Sequence, residues 1–276
     1  MKAFQLSGYK ADPALVEVET PRPGPNEVLV RVASAALNPL DVKLQSGAMQ
    51  NYFPLTFPAS VGTDLSGTVE TLGAEVTGWT IGDRIVARTA PTSGGAIAEF
   101  ALVPADQLVK LPDAVGFDDA AGLPTAAGTA WQALFEVADL KAGQTVLIHA
   151  GAGGVGSFAI QFARAAGARV IATASGDGVA IAQRLGADVV IDYHHENFAT
   201  RVSDPDVVLD TIGGDTQVRF VRRAARGRHP RLHGVAARRG DGQGAQHPRR
   251  LRLPFLGRGP ARDRGGQGGA RNTRAD

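Results

Sequence analysis

The sequence predicts an α/β fold whose second half is a doubly wound parallel sheet. Three observations carry this. From residue 145 the chain alternates short apolar runs (TVLIHA, ARVIATA, DVVIDY, DVVLDTI) with stretches of helical periodicity. Continuous apolar runs of this length suit parallel strands covered on both faces. Between the first two runs, Phe158, Phe162 and Ala165 recur at helical spacing, and GVAIAQRLGAD predicts a second short helix ending at Gly186. Repeated βαβ units wind right-handed into one sheet. Residues 1–100, by contrast, hold β-branched runs such as EVLVRVASAAL, SGTVETLG, DRIVARTA and AIAEFALVP, broken by Gly and Pro. They read as a compact all-β unit with PRPGPNE as a turn. Ala-rich helical periodicity over 111–140 places the boundary between the two near residues 112–122.

Composition narrows the class. With 276 residues, 43% of them hydrophobic, the chain can bury a large core as one or two domains. Cysteine is absent, which excludes disulfides and thiolate metal sites and fits a reducing compartment. The first residues, MKAFQLSGYKADPALV, lack the apolar stretch of a signal peptide, and no run reaches the length of a membrane span. The expectation is a soluble, cytoplasmic protein. The net charge of +2 conceals a split: residues 221–276 carry 15 Arg, no Lys and 3 Asp. That is +12, so 1–220, with 14 basic and 24 acidic residues, stands at −10.

Gly151, Gly153 and Gly156 form G-x-G-x-x-G after a predicted strand, at the opening of a predicted helix, inside one βαβ unit. In that context the pattern points to a dinucleotide. The first glycine serves the tight turn, the second lets backbone approach a pyrophosphate, and the third lets helix pack on strand. The helix start, with Gly154 and Val155, offers N–H groups and partial positive charge. The alternative is a glycine-rich turn without a ligand. The next strand ends in Ala172-Thr173-Ala174-Ser175, where an NAD site would place a carboxylate. Its absence, with Ser175 as a donor, favours NADPH. Asp177 reads as a solvated turn residue, and no Lys or Arg stands nearby to pair with a 2′-phosphate.

These motifs, with LNPLDVKLQSG (37–47), PASVGTDLSGTVETLG (58–73), GDRIVA (82–87), GGAIAEFALVPADQLVKLPD (94–113), LPTAAGTAWQAL (123–134), VVIDY (189–193) and VVLDTIGGD (207–215), run in one order. In that order the chain resembles the zinc-free quinone oxidoreductase (zeta-crystallin-like) family of the medium-chain dehydrogenase/reductase superfamily. The resemblance implies a GroES-like β domain over 1–115 and a partial Rossmann NADP(H)-binding domain over 116–220, with the active site in the cleft between them. It further implies that Thr129 lies beside the nicotinamide and Tyr193 near the adenosine phosphate, and that relatives are homodimers. Read alone, Thr129 is a helix residue and Tyr193 a strand-end aromatic.

Zinc-dependent members of the superfamily place their catalytic metal on two segments that here read Asn38-Pro39-Leu40-Asp41 and Gly62-Thr63-Asp64. No thiolate or imidazole remains there, so no metal is expected. A simple ketone needs a Lewis acid to take up alkoxide charge, whereas a quinone or α,β-unsaturated carbonyl delocalises that charge, and side-chain hydrogen bonds suffice. The expectation is NADPH-dependent, metal-independent reduction of a quinone or enone by hydride transfer. Asn38 would contact the substrate carbonyl and nicotinamide, Asp41 would hold that geometry, and Tyr52 would touch substrate or donate a proton. Each has a plainer reading: a turn before a helix, a helix-start carboxylate and a packed aromatic. A non-catalytic NADPH-binding (crystallin-like) role is the alternative function.

After residue 220 the resemblance stops. The following stretch is rich in Arg, Gly and Pro and nearly devoid of apolar periodicity, which predicts disorder. The sheet is therefore expected to be incomplete at its C-terminal side, short of its last two of six strands. A nucleic-acid-binding arm is one explanation, although Phe255 is its only aromatic. A reading-frame change is the preferred one. Codons can be written for Arg228 to Arg239 that, shifted by one base, encode Gly-Thr-Leu-Val-Ser-Met-Val-Ser-Arg-Pro-Asp, the glycine and apolar strand with which the family continues. Such a change would remove the far wall of the nicotinamide pocket and much of a dimer interface. Weak NADPH binding and poor turnover are the expected consequence.

Overall fold

The structure is a computed structural model and describes residues 1–213 and 231–234. In chain order, β1 (Lys2–Leu6), β2 (Ala14–Glu17), β3 (Glu27–Ala36), α1 (Pro39–Gln45), β4 (Ala59–Ser60), β5 (Asp64–Leu72), β6 (Arg84–Arg88), β7 (Phe100–Pro104) and β8 (Leu108–Lys110) form the first half. The strands make two antiparallel sheets, ordered β2-β1-β4 and β7-β3-β5-β6-β8. The larger sheet closes over Val28, Val30, Leu65, Val69, Ile85, Ala101 and Val103, all of them buried. All four β-branched runs of the sequence supply its strands.

Two helices follow, α2 (Phe117–Ala121) and α3 (Leu123–Trp131), the second running on into a π-turn at Gln132–Val137. Ser66 Oγ donates to Phe117 O at 2.6 Å and Arg84 Nη2 to Val115 O at 2.7 Å, so α2 is moored to the antiparallel sheet. The next helix, α3, packs mainly on α4 (Gly154–Ala165), while its Thr125 stays bonded to Asp64 of β5. The chain thus gains a second packing partner after Gly122, between the two helices.

The second half is β9 (Thr145–Ile148), α4, β10 (Arg169–Ala174), α5 (Asp177–Arg184), β11 (Val189–Asp192), α6 (Phe198–Arg201), β12 (Val207–Asp210) and β13 (Arg231–Gly234). The strands pair in parallel in the order β11-β10-β9-β12-β13. Alternation along each strand splits the apolar side chains between two cores. Val146, Ile148, Val170, Ala172, Val207 and Leu209 face Ala159, Ile160 and Ala163 of α4. Leu147, Ile171, Ile191 and Val208 face Phe198 and Val202 on the opposite side.

Two expectations are corrected here. The parallel sheet holds five strands, not four, because backbone at Arg231–Gly234 adds to β12 in register, Val207 opposite Arg231 and Asp210 opposite Gly234. The sheet therefore extends past the expected domain end at residue 220. A strand adds through its backbone N–H and C=O groups, so a segment with weak apolar patterning can still fill the place beside β12. The readings that concern residues 214–230 and 235–276, the disordered arm and the shifted frame among them, lie outside the described residues.

One layer of the lower core is polar. Thr173, His149 and Asp210 stand side by side at the C-terminal ends of β10, β9 and β12, and all three are buried. His149 Nδ1 lies 3.2 Å from Thr173 Oγ1, and the ring meets Phe198 edge-on with centroids 4.7 Å apart. Burial pulls the His149 pKa down, and the Asp210 charge opposes this only in part. A histidine with a depressed folded-state pKa contributes stability that is present above its unfolded pKa of about 6.5 and is lost as pH falls through the folded value. Urea denaturation across that range is expected to show stability falling on acidification, and His149→Gln is expected to flatten the fall.

Candidate active site

The site begins at one strand end. Asp64, the first residue of β5, pairs across the sheet with Arg88, the last of β6, and with Ala36, the last of β3. Two residues beyond Ala36 the chain turns into α1, with Asn38 as its N-cap residue and Pro39 in its first turn, where a missing N–H costs nothing. The sheet geometry therefore delivers Asn38, Asp64 and Arg88 to one place.

Asp64 is fully buried and accepts from three groups. Its Oδ2 takes Asn38 Nδ2–H at 3.0 Å and the Thr125 backbone N–H at 2.8 Å, while Oδ1 takes the Thr125 hydroxyl at 2.7 Å. Arg88 Nε donates to the same Thr125 hydroxyl at 3.0 Å and lies 3.9 Å from Asp64 Oδ1. Burial lowers the Arg88 pKa, and the carboxylates of Asp64 and Asp41 counter it. Asp41 closes the cluster from below by accepting the Asn38 N–H on Oδ2 at 2.7 Å. Burial pushes the Asp41 carboxyl above the usual range, the Asn38 N–H pulls it back, Asp64 adds to the rise, and Arg88 opposes it.

Asn38 and Asp41 are thus brought together, each also filling its plainer role at the start of α1. The Asn38 amide gives one hydrogen to Asp64 and keeps a second for another partner, while its oxygen takes part in the capping box with the Asp41 N–H. Tyr52 is not drawn into the cluster: it is 63% exposed on the turn after α1, with its N–H on Met49 O. Asp64, Arg88 and Thr125 were not singled out in the sequence. The available signal was the carboxylate in Gly62-Thr63-Asp64, at a position where a metal-dependent enzyme keeps an acidic residue.

Helix α3 carries the link onward. Thr125 is bound to Asp64, the next residue, Ala126, stands against Gly154 at the start of α4, and Thr129 lies buried one turn along from Thr125. The glycine turn differs from expectation in one respect. Its left-handed residue is Ala150 (φ 53°), not Gly151. Gly151 is needed for space, since a Cβ there would lie 2.8 Å from Ala172 Cβ. A Cβ on Gly156 would stand 2.2 Å from Ala150 O, so helix and turn touch backbone to backbone. Gly153 and Gly154 are exposed, and Gly153 has no side chain to cap α4. The first N–H groups of the helix are therefore left to an outside acceptor.

At the next two strand ends the Ser175 hydroxyl donates to the Tyr193 hydroxyl at 2.7 Å. The pair stands beside Gly176 (φ 52°), where α5 begins with the exposed Asp177. A cleft of about 580 Å³ opens here, lined among others by His149, Thr173, Tyr193, His195 and Ile212. The expected cofactor-binding residues Gly151, Gly153, Gly154, Val155, Gly156, Ser175 and Tyr193 all lie along the C-terminal edge of the parallel sheet.

Comparison with known proteins fits this architecture. Residues 24–113 match the family model described as an alcohol dehydrogenase GroES-like domain, and residues 154–236 match that of a zinc-binding dehydrogenase. The quinone oxidoreductase of Coxiella burnetii superposes with a TM-score of 0.76 at 34% identity, covering 86% of this chain and 83% of that one. The chain belongs to the quinone oxidoreductase family of medium-chain dehydrogenases/reductases. Another family member, Escherichia coli quinone oxidoreductase solved with NADPH, superposes with a TM-score of 0.72 at 31% identity, over 79% of this chain and 68% of that one. The chloroplast envelope quinone oxidoreductase homolog of Arabidopsis thaliana is 39% identical over 201 residues, 70% of this chain. That match covers 61% of the Arabidopsis protein, so the chain spans under two thirds of that relative's length.

The zinc implied by the second description does not fit the residues present. In the two segments only Asp41 and Asp64 are good zinc donors. Both oxygens of Asp64 are taken up by Asn38 and Thr125, Asp41 Oδ2 holds the Asn38 N–H, and two carboxylates fall short of the three or four ligands zinc needs. Among the described residues no group of three or more His, Asp or Glu is placed to hold a metal ion.

Three outcomes test this geometry. Asp64→Asn is expected to destabilise the protein by about 2–4 kcal/mol in urea denaturation, because it leaves the half-desolvated Arg88 without its facing charge. Gly156→Ala is expected to cost about 1–3 kcal/mol through overpacking. Gly154→Ala, whose Cβ would sit 3.7 Å from Ala126 Cβ, is expected to stay within about 0.5 kcal/mol of the parent.

Proposed function

We propose that the chain is an NADPH-dependent, metal-independent oxidoreductase that reduces quinones or α,β-unsaturated carbonyls. The observation that carries this is the uncapped, exposed start of α4 at Gly153 and Gly154, joined through Ala126 and Thr125 to the Asn38–Asp64 cluster. Backbone N–H groups at Gly154 and Val155 would hold the pyrophosphate, and Gly156 keeps the helix close enough for them to reach it. Thr129 would flank the nicotinamide. When bound, the cofactor supplies the hydride.

The Ser175 hydroxyl spends its hydrogen on Tyr193, which leaves the Tyr193 O–H as the outward donor for a 2′-phosphate. Neither position is acidic, and this supports NADPH over NADH. Asn38 would present its free amide hydrogen to the substrate carbonyl and stabilise negative charge as it develops there. The bond to Asp64 and the bond from its own N–H to Asp41 hold the amide in place, so no reorganisation is needed at that step. Tyr52, exposed on the turn after α1, would contact substrate. Impaired turnover, expected from the departure of the sequence after residue 220, belongs to the same proposal.

The test is loss of NADPH absorbance on adding 1,4-benzoquinone or an enone, with NADH as comparison. Turnover with NADPH preferred is the expected outcome. Saturable NADPH binding without oxidation of any acceptor would instead favour the non-catalytic role. Tyr193→Phe is expected to weaken NADPH binding roughly tenfold, as for one lost hydrogen bond to a charged group, with NADH binding little changed. Calorimetric titration with each cofactor reads the difference.

A further inference from the structure

Behind the Asn38 cluster lies a small space that the proposed reaction does not use. It measures about 10 Å³ and is walled by Leu6, Leu44, Leu55 and Pro91, with Asp41, Ser60 and Thr63 as its polar side chains; the Ser60 hydroxyl already accepts from Gln5 Nε2 at 3.4 Å. Asp41 is 5% exposed and Thr63 1% exposed. One oxygen of each, Asp41 Oδ1 and Thr63 Oγ1, is buried without a hydrogen-bond partner among the described residues. Other polar atoms of the two residues have partners. Asp41 Oδ2 holds the Asn38 N–H, and Thr63 O accepts from the Thr89 N–H and hydroxyl at 2.7 and 3.2 Å.

A buried acceptor without a donor is costly, and for a carboxylate oxygen the cost is greater than for a neutral group. Two such atoms lining one space of this size meet the conditions for an internal water: room for one water-sized sphere and at least two polar partners. We infer that one internal water bridges Asp41 Oδ1 and Thr63 Oγ1, and that Thr63 is thereby a positioning residue for Asn38.

The water donates to Asp41 Oδ1 and accepts from the Thr63 hydroxyl. Asp41 is then fixed at both oxygens and can swing neither toward the cavity nor away from the Asn38 N–H. Gly62, at φ 88°, sets the approach of Thr63, because a Cβ there would stand 2.6 Å from Ile97 Cγ1. Thr63 itself touches no reacting group in this arrangement. It acts through the water, Asp41 and the Asn38 backbone in turn. The charged groups felt by Asp41 are Asp64 and Arg88, and neither borders the cavity.

The experiment compares the full-length parent chain with Thr63→Val and Thr63→Ser in high-resolution crystal structures and in a carbon-13 NMR titration of the Asp41 carboxyl. One ordered density peak within hydrogen-bond distance of both oxygens is expected in the parent and in Thr63→Ser. It is expected to vanish in Thr63→Val, where Asp41 should titrate at higher pH for want of a donor. Asp41 Oδ1 and Thr63 Oγ1 bonded directly, with no peak between them, would overturn the inference. So would an Asp41 titration that Thr63→Val leaves unmoved. If Thr63→Val fails to fold, a nuclear Overhauser contact in the parent between a long-lived water and the Thr63 methyl supports the water, and its absence counts against it. The kinetic arm alone rests on the proposed function: kcat is expected to drop roughly tenfold in Thr63→Val with KM unchanged, and to recover in Thr63→Ser. Absence of turnover in the parent would count against the proposed function, while density and titration still decide on the water.

Discussion

The Asp64 carboxylate is the interaction on which the site depends. It sits at the end of an antiparallel sheet and binds the Thr125 backbone N–H and hydroxyl, at the start of a helix that packs on the parallel half. The same carboxylate orients the Asn38 amide and faces the Arg88 guanidinium. A buried carboxylate is tolerated only when its oxygens are met by donors, and here the donors come from two separate stretches of chain, with the Arg88 charge facing it from a third. Meeting that need therefore brings the two halves of the molecule together at one point.

From that point the geometry runs through adjacent residues. Thr125 is bound to Asp64, and its neighbour Ala126 stands against Gly154 at the first turn of α4. The distance from the Asn38 amide to the exposed helix start is thus set by one rigid helix rather than by a loop. Rigid support of this kind suits a site that must hold a long two-part ligand and a second molecule in fixed relation. The parallel sheet contributes its polarity: all its strands end on one side, and the glycine turn, Ser175 and Tyr193 follow from three of those ends.

The segments that carry zinc in metal-dependent members of the superfamily are here put to another use. Thr63 and Asp41 border one small cavity, and Asp64 has become a hydrogen-bond acceptor for Asn38 and Thr125. The result is a neutral amide held by two carboxylates, one of them countered by an arginine. Such an arrangement can donate a hydrogen bond but cannot act as a strong Lewis acid, which matches acceptors that delocalise charge by themselves.

Much of this was legible in the sequence because it is local. Apolar runs and helical spacing located the strands and helices of the parallel half, and G-x-G-x-x-G located the turn, because period and glycine spacing are properties of contiguous residues. Asn38 and Asp41 were also legible, three residues apart at one helix start. The sequence by itself thus determined the class of fold, the place of the glycine turn and the loss of the zinc donors. Only the tertiary structure decided that Asp64, Arg88 and Thr125 converge, that Ala150 and not Gly151 takes the left-handed turn, that Tyr52 stays outside the cluster, and that a fifth strand joins the sheet at Arg231–Gly234. Each of these depends on contacts between residues far apart in the chain, and such contacts leave no periodic trace along it.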